Sequence, residues 1–256
     1  MLIEERRRRL LDAVNARGSL SVAEAERTLQ VSRMTVHRDL DVLAAQGLVR
    51  KVHGGVVALS QRGTDLFDAR AQPFEDRLAI GREAKRTIAA HVARLIEKAN
   101  TLLLDSSTTV FQLHEHLGAE RGHETYIVTG SLPLFSELAR KPGGLRVALH
   151  GGEPHVRTGS LVGPLAINSL AEARFDFVVL SCLGVVPEEG SVFVSSSDEV
   201  QLKLAYTKHA RRSVLAVDTS KFGQSGAHKL GELSRFDFIV TERGAFTQAE
   251  FAAQKR

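Results

Sequence analysis

The segment Asp105-Ser106-Ser107-Thr108-Thr109 puts an acid and four small hydroxylated residues where a predicted strand gives way to a helix. Small residues there let backbone N–H groups approach an anion. The helix N-terminus adds a favourable dipole, and the hydroxyls can donate as well. This is the chemistry of a phosphate cradle. Thr129-Gly130-Ser131-Leu132 is a second strand-to-helix turn of the same kind. An ordinary capped helix start has the same composition. Two such turns after the C-terminal ends of strands in one parallel sheet favour a ligand site. Three further segments can complete a pocket: His150-Gly151-Gly152-Glu153, Glu199 with Lys203, and Asp218-Thr219-Ser220-Lys221-Phe222. A lysine at a strand's C-terminal end can neutralise a bound phosphate, although Lys221 taken alone reads as a surface lysine. Glu199 and Lys203, one helical turn apart, read by default as a surface pair contributing roughly 0.2–0.5 kcal/mol. Neither G-x-G-x-x-G nor G-x-x-x-x-G-K-[ST] occurs, which argues against dinucleotides and nucleoside triphosphates. Cys182 reads as a small buried hydrophobe. His114 and His116 point to different helix faces, so no metal site and no cofactor are expected.

A different chemistry belongs to residues 32–53. Val36, Leu40 and Leu43 recur at i, i+4 and i+7, so one face of a helix capped by Ser32 points inward. Arg33, Met34, Thr35, His37, Arg38 and Asp41 lie nearer the outward side. Arg33 and Thr35 fall in the first turn, which reaches furthest into the major groove in a helix-turn-helix. Arginine can bond guanine in bidentate fashion, discriminating by about 1–3 kcal/mol. Arg38 is better placed for a phosphate. Arg50, Lys51 and His53 flank Gly54-Gly55 in a predicted hairpin and can track the backbone or a minor groove. A protein-docking domain has the same outline, with its charges simply solvated. The arginine at the head of the third helix and the basic wing beside it favour DNA. The run Arg6–Arg9 covers all sides of a helix and reads as mainly solvent-facing.

The elements that must position these residues follow from periodicity. Residues 1–57 read as three short helices and a wing. Ile3, Leu10, Leu11 and Val14 share a face, and Gly18 stops the first helix. Ser21 caps a second helix carrying Val22, Ala25 and Leu29. Gln30 and Val31 turn, and Gly47 ends the third helix. Residues 58–75 read as a linker, and a single amphipathic helix is predicted over Asp76–Lys98. Beyond it, predicted strands at Thr101–Leu104, Tyr126–Thr129, Leu145–Leu149, Phe177–Ser181, Ser213–Val217 and Phe238–Thr241 alternate with helices near Val110–Leu117, Leu132–Arg140, Leu165–Ala173 and Glu199–Ala210. That alternation predicts an α/β domain over 76–256, with a mostly parallel sheet covered by helices on both faces.

The whole chain has 256 residues, 43% hydrophobic and 25% charged, with a net charge of +4, which suits a small domain plus a larger one. The positive balance permits nucleic-acid binding. No apolar run is long enough to span a membrane, and no apolar stretch follows the basic N-terminus, so neither a membrane nor a secretory signal is expected. The single cysteine allows no intramolecular disulfide and fits a reducing cytoplasm.

Ser32-Arg33-Met34-Thr35-Val36-His37-Arg38-Asp39-Leu40 followed by Gln46-Gly47-Leu48-Val49-Arg50-Lys51-Val52-His53-Gly54-Gly55 resembles the DeoR family of bacterial sugar-metabolism regulators. The resemblance continues through Leu104–Thr109, Thr129–Pro133, Gly151-Gly152-Glu153, Ser160–Leu165 and Asp218–Phe222. It implies a winged helix-turn-helix joined to a ribose-phosphate isomerase-like sensor domain. It also implies a double-stranded operator, a phosphorylated-sugar effector and a homodimer or homotetramer. Carried over by position, residues 106–109, Ser131, Gly151, Gly152 and Lys221 line the effector site, and Glu199 and Lys203 match an E-x-x-x-K element. His37 stands where arginine is more usual, and Gly130 where asparagine is. Ser181-Cys182-Leu183-Gly184 replaces a pattern of glycine and alanine. The competing class is an enzyme, a sugar-phosphate isomerase or deaminase with an attached winged helix. In it Asp105, Glu199 and Lys221 act as acid or base.

Overall fold

Apolar residues at helical spacing gather the described residues of the N-terminal segment around one small core. In the computed structural model, which describes residues 3–17, 19–45, 49–52, 55–58, 73–118, 125–142 and 145–253, the chain divides into Met1–Arg70 and Ala71–Arg256. The first unit runs α1 (Ile3–Arg17), β1 (Ser19–Ser21), α2 (Val22–Leu29), α3 (Arg33–Ala45), β2 (Val49–Val52) and β3 (Gly55–Ala58). Leu10, Val14, Val22, Ala25, Val36, Leu40 and Leu43 pack together with Val49 and Val56 of the wing. Ser21 forms a reciprocal capping box with Glu24 at the start of α2, and Gln30 turns the chain in the left-handed region. The wing has a third strand that the sequence reading did not predict, because β1 pairs antiparallel with β3. That pairing explains Gly55: a Cβ there would run into the Leu20 and Ser21 backbone. The stops read at Gly18 and Gly47, the contact read at His53, and residues 59–72 of the linker lie outside the described residues.

The second unit opens with two helices, α4 (Phe74–Ala79) and α5 (Arg82–Leu95). The single helix predicted over Asp76–Lys98 is therefore corrected. Gly81, left-handed at φ +62°, breaks it, and helical structure begins at Phe74, inside the stretch read as linker. The unit continues β4 (Thr101–Leu104), α6 (Thr108–Phe111), β5 (Tyr126–Thr129), α7 (Leu132–Ala139), β6 (Arg146–Leu149), β7 (Glu153–His155), β8 (Ser160–Val162), α8 (Pro164–Asn168), β9 (Phe175–Leu180), β10 (Gly184–Val186), β11 (Ser191–Val194), α9 (Ser197–Lys208), β12 (Ala210–Ala216), β13 (His228–Glu232), β14 (Phe238–Thr241), β15 (Gly244–Thr247) and α10 (Gln248–Ala253). Seven strands form the main sheet in the order β15-β14-β12-β9-β4-β5-β6. Only the edge pair β14–β15 is antiparallel.

Alternation along the strands makes two cores. Leu102, Leu104, Val179, Val214 and Val240 face α5 and α7. Leu103, Val178, Leu180, Leu215 and Ile239 face α8 and α9. The mostly parallel sheet buried on both faces is thus observed. The hairpin β7–β8 and the ribbon β10-β11-β13 were not legible as elements, since their strands are short and two-sided. From β4 the chain winds outward through β5 and β6, then returns to β9 on the other side of β4 and winds away through β12 and β14. This reversal leaves a crevice beyond the C-terminal ends of β4 and β9, where ligands bind in open α/β sheets.

Candidate functional site

At that crevice lies a cleft of about 160 Å³, small against the roughly 300–1,000 Å³ of common ligand pockets. Ser107, Thr108 and Thr109 follow β4, and Ser181, Cys182 and Leu183 follow β9. Asp218, Ser220 and Lys221 follow β12, Glu199 and Lys203 project from α9, and Arg77, Ile80, Gly81 and Lys85 close it from α4 and α5.

Its floor is an ion chain. The Lys203 ammonium donates to Asp105 Oδ2 at 2.8 Å and to the Ser181 carbonyl at 2.5 Å, and it pairs with Glu199 Oε1 at 3.0 Å. All three of its protons are thereby assigned. Asp105 also accepts from the Ser107 and Ser181 amides, each at 2.8 Å. Glu199 accepts from the Ser195 amide at 3.0 Å. The surface-pair reading of Glu199 and Lys203 is corrected: the Lys203 side chain is only 6% exposed, and Glu199 is half-buried at 32%. Burial alone would lower the Lys203 pKa, but Asp105 and Glu199 outweigh it and hold the ammonium well above its ordinary range. Burial would raise Glu199, and Lys203 reverses that and keeps it ionised. Burial pushes the Cys182 thiol up to about 12, so it is not a thiolate near neutrality.

Of the residues expected to bind an effector, Ser107, Thr108, Thr109, Glu199, Lys203 and Lys221 meet at this cleft, with Asp105 beneath it. Ser106, Ser131, Gly151 and Gly152 do not line it. Ser131 is fully buried and caps α7, accepting from Leu134 N at 3.2 Å, and it bridges to Ser160. The β7–β8 hairpin lies over its turn, because Leu161 N donates to the Gly130 carbonyl at 2.8 Å. Gly151 N donates to Ser169 Oγ at 3.0 Å, and Gly152 packs on Ala166 and Leu161. These glycines let α8 approach the sheet. The cradle reading at 105–109 also changes. Ser107 N is taken by Asp105, and Ser107 Oγ caps α6 by accepting from Val110 N at 3.1 Å.

Beside the cleft, the buried His150 ring accepts from the Tyr206 hydroxyl through Nε2 and donates through Nδ1 to the Gly151 carbonyl at 2.6 Å. A Cβ on Gly130 would collide with the His150 ring and the Tyr206 hydroxyl, which explains glycine at that position. Burial holds the His150 pKa below its ordinary value, against the pull of the carbonyl, so the ring is neutral.

Sequence reasoning missed Arg77, Ile80, Gly81 and Lys85. For Lys85 a signal existed: it lies on the buried stripe of α5 with Ile88, Ala89 and Val92, where a lysine has no default reason to be.

In the first unit, Ser32 Oγ accepts from Thr35 N at 3.3 Å and lies 2.9 Å from Thr35 Oγ1, so it caps α3 as expected. Arg33, Met34, His37 and Arg38 are exposed and Thr35 is half-buried. Arg50 and Lys51 lie on β2 of the wing. The reading of Arg6–Arg9 is corrected for two of the four. Arg6 and Arg7 reach the buried Asp39 at 2.6 and 2.9 Å, while Arg9 pairs with Glu5. Burial would raise the Asp39 pKa, but the two guanidinium groups hold it below the carboxylate range.

Comparison with known proteins agrees with this division. Residues 6–62 match the DeoR-like helix-turn-helix domain, and residues 81–243 match the DeoR C terminal sensor domain. The chain is 31% identical over 239 residues to the glycerol-3-phosphate regulon repressor of Escherichia coli K12, covering 93% of this chain and 90% of that one. It is 31% identical over 238 residues to the lactose phosphotransferase system repressor of Staphylococcus epidermidis, covering 93% and 91%. Among solved structures, ribose 5-phosphate isomerase from Plasmodium falciparum aligns at a TM-score of 0.37 and 11% identity, over 56% of this chain and 55% of that one.

Proposed function

The chain belongs to the DeoR family, and on that premise we propose that it is a DNA-binding repressor of a carbohydrate-metabolism operon, controlled by a phosphorylated sugar or a related metabolite. The observation that carries the reading is one chain holding both a capped recognition helix, with Arg33, His37 and Arg38 turned outward, and a small cationic cleft at the switch point of a parallel sheet. Arg33, Thr35, His37 and Arg38 face the operator from α3, with Ser32 at its cap and Arg50 and Lys51 on β2 of the wing; His53, outside the described residues, completes the expected contacts. Asp105, Ser107, Thr108, Thr109, Glu199, Lys203 and Lys221 hold or frame the effector. An effector that binds one state of the protein more tightly shifts DNA affinity by that difference. Two-fold operators ask for at least two copies, so the working form is a homodimer or homotetramer. No helix among the described residues is long and apolar enough to cross a membrane, and a regulator of this kind works in the cytoplasm.

Binding without turnover fits the site better than isomerisation or deamination. Asp105 already accepts three hydrogen bonds, and Glu199 is tied to Lys203 and the Ser195 amide. Neither is placed as a free base. Fluorescence anisotropy with the DNA upstream of the gene, at several salt concentrations and with a panel of sugar phosphates, tests the proposal. Expected are a steep negative salt slope and a change in affinity with one sugar phosphate. Salt-independent binding, or turnover of a sugar phosphate that is lost in Glu199→Ala, would overturn it.

A further inference from the structure

Asp39 is buried in the middle of α3, and both Arg6 and Arg7 of α1 donate to it. The two arginines are held differently. Arg6 gives two bonds, Nε to Oδ2 at 2.6 Å and Nη2 to Oδ1 at 3.3 Å, and its side chain is 15% exposed. Arg7 gives one, Nε to Oδ1 at 2.9 Å, and its side chain is 31% exposed. Among the described residues the two Nη groups of Arg7 have no partner. A guanidinium is a rigid fork, so fixing Nε also fixes where the remaining donors point. One carboxylate offsets one of the two cations, and the cluster keeps a positive charge at its more open end. Its place on α3 gives that charge a setting. At about 100° per residue, Val36, Leu40 and Leu43 mark the buried stripe, and Arg33, Met34, His37, Arg38 and Asp41 mark the exposed one. Asp39 lies on the flank between them that also carries the half-buried Thr35 and Val42, and Arg38 stands one step outward on the same flank. α1 therefore brings a fixed, half-used guanidinium up to one side of the DNA-reading helix.

We propose that Arg7 is a DNA-backbone contact held ready by Asp39: its Nε is anchored on the buried carboxylate, and its two Nη groups pair with a phosphate of the strand that Arg38 also meets. The assignment rests on the DNA-binding reading above. A phosphate is the fitting partner because the fork left open matches two of its oxygens in bidentate fashion. Base edges lie deeper, within reach of the exposed face of α3, whereas a cation on the flank of that helix meets the backbone. Prior anchoring matters to affinity, since a side chain already fixed loses less freedom on binding. Arg6, more buried and bonded to Asp39 twice, is an anchor and not a contact. Arg7 thus adds affinity for every sequence alike, and Asp39 acts on DNA through Arg7 as a positioning residue.

The test is fluorescence anisotropy with the full-length protein and a duplex that it selects from random-sequence DNA, over a series of salt concentrations. Each neutralised phosphate contributes about 0.9 to the steepness of log affinity against log salt. Arg7→Met is expected to lower that slope by about 0.9 per bound copy and to weaken the selected duplex and a scrambled one by the same factor. Arg7→Lys, which keeps the charge, should retain most of the slope. Arg6→Met should lose thermal stability but, where it is folded, keep the wild-type slope. A merely structural pair of arginines would not separate in this way. Should Arg7→Met or Arg6→Met fail to fold, labelling of the wild type with phenylglyoxal, read by mass spectrometry, takes its place: duplex DNA is expected to protect Arg7. An unchanged slope in Arg7→Met, or an equal loss of slope in Arg6→Met, would overturn the assignment and leave the DNA-binding reading standing. So would equal labelling of Arg7 with and without DNA. If the wild type binds no duplex with a negative salt slope, the DNA-binding reading itself fails.

Discussion

Replacing Lys203 by methionine keeps most of the side-chain volume and removes the charge at the centre of the ion chain. Three groups then lose a donor: Asp105, whose side chain is 3% exposed, the Ser181 carbonyl, and Glu199 at 32% exposure. Removing one partner of a buried ion pair costs about 3–5 kcal/mol, because the other charge is left uncompensated. Asp105 keeps two backbone amides and Glu199 can turn to water, so the loss belongs at the low end, about 3 kcal/mol. For a unit of this size each kcal/mol lowers the melting temperature by roughly 2–4 °C. The second unit should therefore melt about 6–12 °C lower, which calorimetry reads directly. Asp105→Asn alone should also destabilise, and the double variant should cost at least about 1 kcal/mol less than the two single changes added, as expected for groups in direct contact. A loss below about 1 kcal/mol in Lys203→Met, or strict additivity, would refute the ion chain as a structural clip and return Lys203 to the surface-pair reading.

Other consequences are as direct. Asp39→Asn removes the anion that Arg6 and Arg7 share and should cost the first unit about 2–3 kcal/mol; chemical denaturation followed by far-UV circular dichroism reads it. Because Asp39 titrates lower in the folded state than its ordinary 3.8, its stabilisation is present above that value and fades as pH falls through the folded pKa. A first unit equally stable at pH 5 and pH 2.5 would contradict this. His150 is held neutral below its ordinary 6.5, so stability of the second unit should fall as pH drops beneath about 6.5, and His150→Gln should remove that part of the slope. On DNA, Arg33→Ala should flatten preference at one operator position by about 1–3 kcal/mol. Lys51→Ala should weaken all sequences alike and reduce the salt slope by about one. Indistinguishable behaviour of the two variants in a binding-site selection would count against the assignment of base and phosphate contacts.

Local chemistry determined much of this protein from the sequence alone. The i, i+4, i+7 pattern of Val36, Leu40 and Leu43 identified the inward face of α3, and so the outward residues. Ser21 and Ser32 announced their caps, since a cap is a bond between a side chain and an amide three residues away. The short β-prone runs between helices announced a parallel sheet, and of the turns read as ligand sites those after β4 and β12 reach the cleft at its switch point. Charge compensation was beyond sequence reading. Asp105 and Lys203 stand 98 residues apart, and Arg6 meets Asp39 across 33. Which carboxylate finds which cation depends on strand order and on which helix covers which face. The same holds for the residues that changed role. Ser131, Gly151 and Gly152 lie in turns of the right composition, but the β7–β8 hairpin and α8 pack over them. Lys85, silent as a motif, gains its setting only because α4, α5 and the loop after β12 converge on one end of the sheet. Composition and period specify a face and a turn. What that face meets is decided by the packing of segments far apart in the chain.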